Sequence, residues 1–109
     1  MVLVQITMNV LPEKQLEFVQ TILSMIEPTR RETGCLGYRV FCNIENQSIY
    51  SLQEEWETRE DLDHHIGSPR FAVLLGTKIL LRDPPTIEIH TVNRSEGMEA
   101  VDAVRKTAK

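Results

Sequence analysis

The chain begins with nine residues whose side chains alternate between two faces, and this period-two pattern constrains the fold more than any other feature. The first face is wholly apolar and the second is mainly polar. The first comprises Val2, Val4, Ile6, Met8 and Val10, and the second comprises Leu3, Gln5, Thr7 and Asn9. Because strands favour β-branched residues, residues 2–10 are predicted to form the first strand of a sheet.

A helix is predicted next. Pro12 opens it at a position where a missing N–H costs nothing. Apolar residues at helical spacing predict its buried stripe, which comprises Leu16, Val19, Leu23 and Ile26. Pro28 removes a hydrogen bond and clashes with the preceding turn, so the helix should kink or restart near Glu27. Gly34 can adopt the left-handed backbone conformation that ends a helix.

Residues 35–43 and 49–57 are rich in aromatic and β-branched side chains and flank a polar turn, which predicts an antiparallel hairpin. Cys35 and Cys42 lie seven residues apart in one strand, so we expect them on opposite faces and about 23 Å apart. They are too distant to bridge each other, and we interpret them as reduced, structural cysteines.

Helix-capping signals organise the second half of the chain. Thr58 and Asp61 form a capping box for a short helix that runs through Ile66 and is closed by Gly67. Ser68 and Pro69 start another helix. The buried stripe predicted for that helix comprises Phe71, Leu74, Leu75, Ile79 and Leu81. A fourth strand is predicted over residues 86–92.

The predicted order β-α-β-β-α-β defines an α+β, ferredoxin-like fold with both helices on one face of a four-stranded antiparallel sheet. Residues 1–93 form this domain, and residues 94–109 are a polar, helix-prone tail. Leu3, Phe41 and Leu52 are expected to leave the second sheet face partly apolar. The sheet of a second copy of the chain is the simplest way to cover this face, so we predict a homodimer that forms through sheet packing.

Charge and motif content exclude several functions. The net charge is −4 and acidic residues crowd positions 54–63, so no nucleic-acid partner is expected. No apolar run approaches the about 20 residues of a bilayer span, so we predict a cytoplasmic protein without a membrane partner. Phosphate-loop and metal-ligand spacings are absent. His64 and His65 point about 100° apart around a helix and cannot easily hold one metal, so no metal is expected. No nucleotide-binding motif is present either, and no organic cofactor is expected.

Three segments carry a resemblance to a known family. Residues 32–38 read ETGCLGY, residues 54–58 read EEWET, and residues 62–71 read LDHHIGSPRF. In this order and spacing they resemble the antibiotic biosynthesis monooxygenase family over about residues 2–92. The resemblance implies a dimeric α/β barrel with a small pocket between the sheet and the helices.

The family resemblance leaves the activity open, because its members oxidise phenolic or quinol-like compounds without a cofactor, degrade haem, or isomerise small signal molecules. Haem-degrading members use an Asn, a Trp and a His. The corresponding positions here hold Thr7 or Ile6, His65 and Leu75. A leucine cannot ligate iron, so haem degradation is a minor alternative.

His65 and Trp56 are the candidate catalytic residues. At a position where many family members carry a histidine, His65 is suited to accept a proton from a phenol. Trp56 is suited to line a pocket and donate a hydrogen bond to a bound oxygen. The structural alternatives are a capping or solvent-facing His65 and a core Trp56. The candidate pocket residues are Thr7, Asn9, Asn43, Tyr50 and Phe71, although polar groups in such rows can also bond within the barrel interior.

The leading hypothesis is therefore a cofactor-independent monooxygenase that oxidises a small aromatic, phenolic or quinol-type substrate with dioxygen. The alternative hypothesis is a non-catalytic dimer that binds a small metabolite, as in a stress response. A purely structural dimer is the third.

Overall fold

The computed structural model describes residues 1–108 and confirms the predicted α+β class and element order. The elements are β1 (Val2–Asn9), α1 (Gln15–Arg30), β2 (Cys35–Cys42), β3 (Ile49–Trp56), α2 (Arg59–Ile66), α3 (Pro69–Gly76), β4 (Thr86–Thr91) and α4 (Met98–Thr107). The four strands form one antiparallel sheet in the order β2-β3-β1-β4. The helices α1 to α3 cover one face of that sheet, and the core lies between the two layers.

The alternation in β1 is confirmed, because every apolar side chain of its first face is buried. These side chains are Val2, Val4, Ile6, Met8 and Val10. β1 occupies a central position between β3 and β4, so its inward face is covered by helices along its length. The first strand is therefore the base of the core, as its pattern predicted.

The buried stripe of α1 differs in part from the prediction. Val19 and Ile26 are partly buried and pack against the core, whereas Leu16 and Leu23 are 72% and 60% exposed. The side chains that enter the core are Phe18, Ile22, Met25 and Thr29. Both sets follow helical spacing and lie about 110° apart around the helix axis, so periodicity alone did not distinguish them. Burial of the Phe18 ring against Tyr50, with ring centroids 5.1 Å apart, favours the observed orientation.

Pro28 does not make α1 restart, because the helix runs through it to Arg30. Its missing N–H removes a single hydrogen bond close to the helix end, where the last turn is completed by the Arg31 N–H bonding to the carbonyl of Glu27. Gly34 ends the segment with a φ of +81°, as predicted.

A β-bulge in β2 overturns the expected placement of the two cysteines. The register with β3 shifts between Cys35 and Gly37, so Leu36 is an extra residue. Cys35 then pairs with Trp56 and Cys42 pairs with Tyr50, which places both cysteines on the helix-covered face. Both are free within residues 1–108.

The stripe predicted from α3 onward is correct for Phe71, Leu74 and Leu81 and wrong for Leu75 and Ile79, which are exposed. The helix ends at Gly76, and a 3-10 turn over Thr77–Leu80 follows. That turn has about three residues per turn, so the positions after it rotate relative to the α-helical pattern. Thr77 and Leu80 enter the core instead.

The open sheet face is less apolar than expected, because Leu52 lies in the core. Leu3 and Phe41 remain on the open face. At the sheet edge all six residues of β4 are exposed, and α4 has no buried residue over Met98–Thr107. The homodimer through sheet packing stays a prediction.

In the C-terminal tail, Met98–Thr107 forms α4, whereas Lys109 lies outside the described residues. The radius of gyration is 16.5 Å, against about 13 Å for a compact chain of about this length. An α4 that stands away from the body explains the difference. Among residues 1–108, no helix combines the length and apolarity that crossing a bilayer requires.

Gly34→Ala should destabilise the fold by about 1–3 kcal/mol, because an L side chain is strained at this φ. Its Cβ would also collide with the carboxylate of Asp61, which belongs to the α2 cap. The control is Gly76→Ala, where an added Cβ meets open space and the φ of −63° is helical. Urea unfolding should show a lower free energy of unfolding for Gly34→Ala and an unchanged one for Gly76→Ala. Equal unfolding midpoints for the two variants would contradict this account.

Deletion of residues 94–109 should change the free energy of unfolding by less than about 0.5 kcal/mol, because α4 buries nothing against the body. Thermal and urea denaturation of the full and shortened chains provide the measurement. A clear loss of stability would mean that α4 packs on a surface that a single chain lacks.

Candidate active site

A cluster of buried polar side chains lies between the sheet and α2, centred on His65. Glu54 and Trp56 reach it from the end of β3, because residues 52, 54 and 56 alternate inward on that strand. Glu32 reaches it from the loop after α1. Thr58 caps α2 by accepting a hydrogen bond from the Asp61 N–H, and this cap fixes the start of the helix that carries His65.

One side of the His65 ring is held by a carboxylate. The imidazole is 1% exposed, and its Nδ1 lies 3.0 Å from both Oε1 and Oε2 of Glu32. Arg70, at the start of α3, donates from Nη1 to Oε2 of Glu32 at 2.7 Å. The Glu32 carboxylate therefore bonds both the imidazole and the guanidinium.

The other side of the ring faces a second carboxylate. Nε2 of His65 lies 3.6 Å from Oε1 of Glu54, too far for a hydrogen bond. The Trp56 indole N–H donates to the same oxygen at 2.9 Å. Within the described residues, His65 Nε2 and Glu54 Oε2 are buried without a hydrogen-bond partner. Two polar atoms therefore face this part of the interior unpaired.

Burial changes the protonation of the groups beside the imidazole. Removal from water raises the pKa of Glu54 above its ordinary value, partly opposed by the hydrogen bond from Trp56 and the charge of His65. Burial also raises the pKa of Tyr38, and the nearby charge of Glu54 adds to that effect. The cluster thus favours a neutral Glu54 and a neutral Tyr38.

Aromatic rings enclose the imidazole. The ring centroid of Trp56 lies 4.7 Å from that of His65, and the rings are tilted by 31°. Phe71 packs edge-on at 5.4 Å, and Tyr38 does so at 6.4 Å. This shell excludes water from the carboxylate–imidazole pairs, so their electrostatic interactions are stronger than at a surface.

An apolar cleft of about 200 Å³ lies beside the cluster. Its lining residues come from β1, α2, α3 and the start of β4, and they are Ile6, Met8, Ile66, Phe71, Leu74, Leu75, Thr77, Pro85 and Ile87. Phe71 joins the two features, because its side chain lines the cleft while its ring contacts His65. The arrangement suits a flat apolar ligand close to a buried imidazole.

The two predicted catalytic residues are in contact, and both are buried. The expected capping or solvent-facing alternative for His65 is therefore wrong. Trp56 packs in the core, and its only N–H is occupied by Glu54 rather than free for a ligand. Its side chain thus supports the imidazole and Glu54.

Of the predicted pocket residues, only Phe71 lines the apolar cleft. Thr7 and Asn9 point to the open sheet face, where Asn9 Nδ2 donates to Asp83. Asn43 is exposed in the hairpin turn, and its Oδ1 accepts from the backbone N–H of residues 45 and 46. Tyr50 packs on Phe18. Strand alternation sends the polar row away from the helices, and turn geometry holds Asn43 locally.

Sequence reasoning missed Glu32, Glu54 and Arg70. Glu54 had a usable signal, because a carboxylate stood at an inward position of an alternating strand. Glu32 stands in one of the family segments, but nothing in the sequence indicated a contact with His65, which lies 33 residues away. Among residues 1–108, no three His, Cys, Asp or Glu side chains are grouped as metal ligands.

Glu54→Gln should become more stabilising as the pH rises from about pH 4 to pH 8. The raised pKa means that the folded protein binds this proton more tightly than the unfolded chain does. That stabilisation is complete below the unfolded pKa and is lost as the pH rises through the folded pKa. Each unit of elevation corresponds to about 1.4 kcal/mol, and glutamine avoids the loss because it stays neutral.

The matched control is Glu55→Gln, which alters the neighbouring, partly exposed carboxylate that pairs with Arg39. A surface ion pair contributes about 0–1 kcal/mol, so this control should change little with pH. Urea unfolding of both variants across the range provides the comparison. A parallel pH course for Glu54→Gln and the parent would show that burial does not affect this carboxylate.

Known proteins resemble this chain over most of its length. An uncharacterised protein from Synechocystis sp. is 29% identical over 91 residues, which are 83% of this chain and 62% of that protein. The chain thus spans less than two thirds of that curated relative. A conserved protein from Methanosarcina mazei, whose crystal structure is known, is 34% identical with a TM-score of 0.78, over 82% of this chain and 89% of that one.

The fold recurs in a crystal structure of an antibiotic biosynthesis monooxygenase. It is 23% identical with a TM-score of 0.79, over 86% of this chain and its whole length (100%). The family model for antibiotic biosynthesis monooxygenases matches residues 1–74, which include β1 to α2 and the whole His65 cluster. The chain belongs to the antibiotic biosynthesis monooxygenase family.

Proposed function

We propose that this protein is a cofactor-independent monooxygenase that oxidises a small phenolic or quinol-type aromatic substrate with dioxygen. One observation carries the proposal: a buried imidazole, bonded to a carboxylate on one nitrogen and unpaired on the other, lies beside an apolar cleft. Family membership supports this class of chemistry, and the geometry of the site supports the roles that we propose for individual residues.

The cleft supports an aromatic substrate. Thr77 is the only lining residue with a polar side chain. A flat apolar ring system would gain binding free energy from burial there, at about 25 cal/mol per Å² of apolar surface removed from water. A charged metabolite would lose its hydration without gaining a partner from the lining.

His65 is the proposed base. Removal of a phenolic proton produces an electron-rich anion that can transfer electrons to dioxygen, which the neutral phenol does only slowly. In the overall reaction of a phenol, the ring C–H para to the hydroxyl becomes a carbonyl and the product is a quinone. One oxygen atom of dioxygen enters the product, and the other leaves as water with the ring hydrogen and the phenolic hydrogen. The substrate supplies all four electrons, so the balance needs no further reductant.

Phe71 has to turn aside for this chemistry. Its ring contacts His65 and lines the cleft, and the imidazole is 1% exposed. A bound aromatic ring can replace the edge-on contact of Phe71 with one of its own. The proposal therefore includes movement of Phe71 when substrate binds.

The burial of the His65 imidazole favours a second candidate function, a non-catalytic dimer that binds a small metabolite. In that case the cleft holds the ligand and His65 is a structural part of the core. Substrate-dependent oxygen uptake separates the two functions. A ligand that co-purifies without turnover would support the binding function.

The test is oxygen uptake by purified protein with a panel of hydroquinones, anthrones and naphthols. His65→Ala should reduce turnover by about 10²- to 10⁴-fold, the usual contribution of a positioned base. His65→Gln is a second variant, since it retains polar groups in the cluster if alanine impairs folding. His64→Ala is the matched control, because this neighbouring side chain is exposed and should change the rate little.

Circular dichroism accompanies each variant, so that loss of turnover is compared only among folded proteins. Two results would overturn the proposal. One is a folded His65→Gln protein that turns over an identified substrate as fast as the parent. The other is no uptake with any member of the panel.

A further inference from the structure

We infer that Glu32, anchored by Arg70, is a positioning residue that holds His65 in the tautomer with its proton on Nδ1, which leaves Nε2 as the proton-accepting atom. The catalytic meaning of this inference rests on the proposed function. The tautomer itself is a property of the resting protein. It can therefore be measured without any substrate.

The geometry of the Nδ1 side selects this tautomer. Both carboxylate oxygens of Glu32 lie 3.0 Å from Nδ1. An ionised carboxylate only accepts hydrogen bonds, so the hydrogen that joins the two groups belongs to Nδ1. Arg70 donates to Oε2 of Glu32 at 2.7 Å, so this carboxylate accepts a hydrogen bond from a cation as well as from the imidazole.

The opposite tautomer loses this bond and gains none. A proton on Nε2 would point toward Oε1 of Glu54 across 3.6 Å, beyond hydrogen-bond distance. The Nδ1 lone pair would then face two carboxylate oxygens at 3.0 Å. A hydrogen bond to a charged group shifts an equilibrium by about tenfold or more, so the Nδ1-protonated form should exceed the other by at least that ratio.

Each element around the imidazole has a distinct part. The loop after α1 supplies Glu32, α3 supplies Arg70, β3 supplies Glu54, and β2 supplies Tyr38. The hydrogen bonds on the Nδ1 side are those of Glu32 with the imidazole and of Arg70 with Glu32. The side chain of Arg70 is 35% exposed and that of Glu32 is 14% exposed, so the orienting pair extends from the buried ring toward the surface.

The bond from Nδ1 to Glu32 leaves His65 with one basic ring nitrogen, Nε2. Without that bond, either ring nitrogen could carry the lone pair. Nε2 lies in the water-poor interior beside Glu54 and has no hydrogen-bond partner within residues 1–108. A general base acts only when its lone pair is directed at the proton that it removes. Glu32 therefore determines which atom of His65 performs the proposed proton removal.

The experiment is ¹⁵N NMR of the ring nitrogens in the full chain labelled with [¹⁵N]histidine. The chain contains three histidines, and the exposed His64 and His90 serve as internal references. At a pH where the imidazoles are neutral, we expect His65 to show a protonated Nδ1 and a bare Nε2. Exposed imidazoles favour the reverse, so the His65 pattern should be opposite to that of the references.

Glu32→Gln retains the shape and offers both a donor and an acceptor, so the two tautomers should become comparable in population. Glu32→Ala removes both and should give His65 the pattern of the exposed histidines. Glu27→Gln is the matched control, because it neutralises an exposed glutamate of α1 whose ion pair within residues 1–108 is with Arg30. Its His65 signals should match those of the parent.

A parent His65 with its proton on Nε2 would overturn the inference, as would an unchanged tautomer ratio in folded Glu32→Gln. Oxygen uptake decides the proposed function separately. If the panel gives no uptake and His65 is still protonated on Nδ1, the tautomer assignment stands and the monooxygenase function fails. If uptake is observed and His65 carries its proton on Nε2, the monooxygenase function stands and the tautomer assignment fails.

Discussion

The burial of ionisable groups between the sheet and α2 is the constraint on which the rest of the site depends. An unpaired charge in such a place is highly unfavourable, so each group needs a partner or must lose its charge. Glu32 receives Arg70 and the Nδ1–H of His65. Glu54 receives the Trp56 indole N–H, and burial raises its pKa. The two carboxylates beside one imidazole therefore have different partners and different degrees of burial.

This difference in partners follows the order of elements around His65. Glu32 faces the loop and the start of α3, where its cation Arg70 is partly in water. Glu54 faces the sheet, where Trp56 and Tyr38 are fully buried. The carboxylate with a cationic partner thus lies nearer the surface, and the carboxylate without one lies in the interior, where burial raises its pKa. A reversed arrangement would place the carboxylate that has a cation where no cation reaches it.

Local patterns predicted the parts of the fold that depend on neighbouring residues. The alternation of β1, the Thr58 cap of α2 and the Ser68 cap of α3 were all visible in the sequence and all are present. The parts that depend on distant residues were not visible. The choice between two stripes of α1 depends on packing against Tyr50, and the bulge at Leu36 depends on pairing with β3.

The candidate site was predictable to the same limited extent. His65 and Trp56 were found through family motifs, and the structure places them in contact. The residues that give the imidazole its chemistry come from three other segments, and Glu32 is 33 residues away. Polar residues of the β1 row looked like pocket lining, but strand alternation sends Thr7 to the opposite face. A row of polar side chains on a strand shows that they share one face of the sheet. Only the folded structure shows which face of the sheet borders the cleft.

The two halves of the site differ in how firmly they are built. The imidazole is held by the hydrogen-bonded Glu32, by side chains of the central strand β3 and by the capped helix α2. The cleft is lined by Ile6 and Met8 of the central strand β1, and most of its other lining comes from α3, a 3-10 turn and the segment that begins the exposed edge strand β4. Short elements and loops accept substitution more readily than central strands do. Changes in Leu75, Pro85 or Ile87 can therefore reshape the cleft without disturbing Glu32 and His65, and under the proposed function such changes would alter which aromatic substrate the cleft accepts.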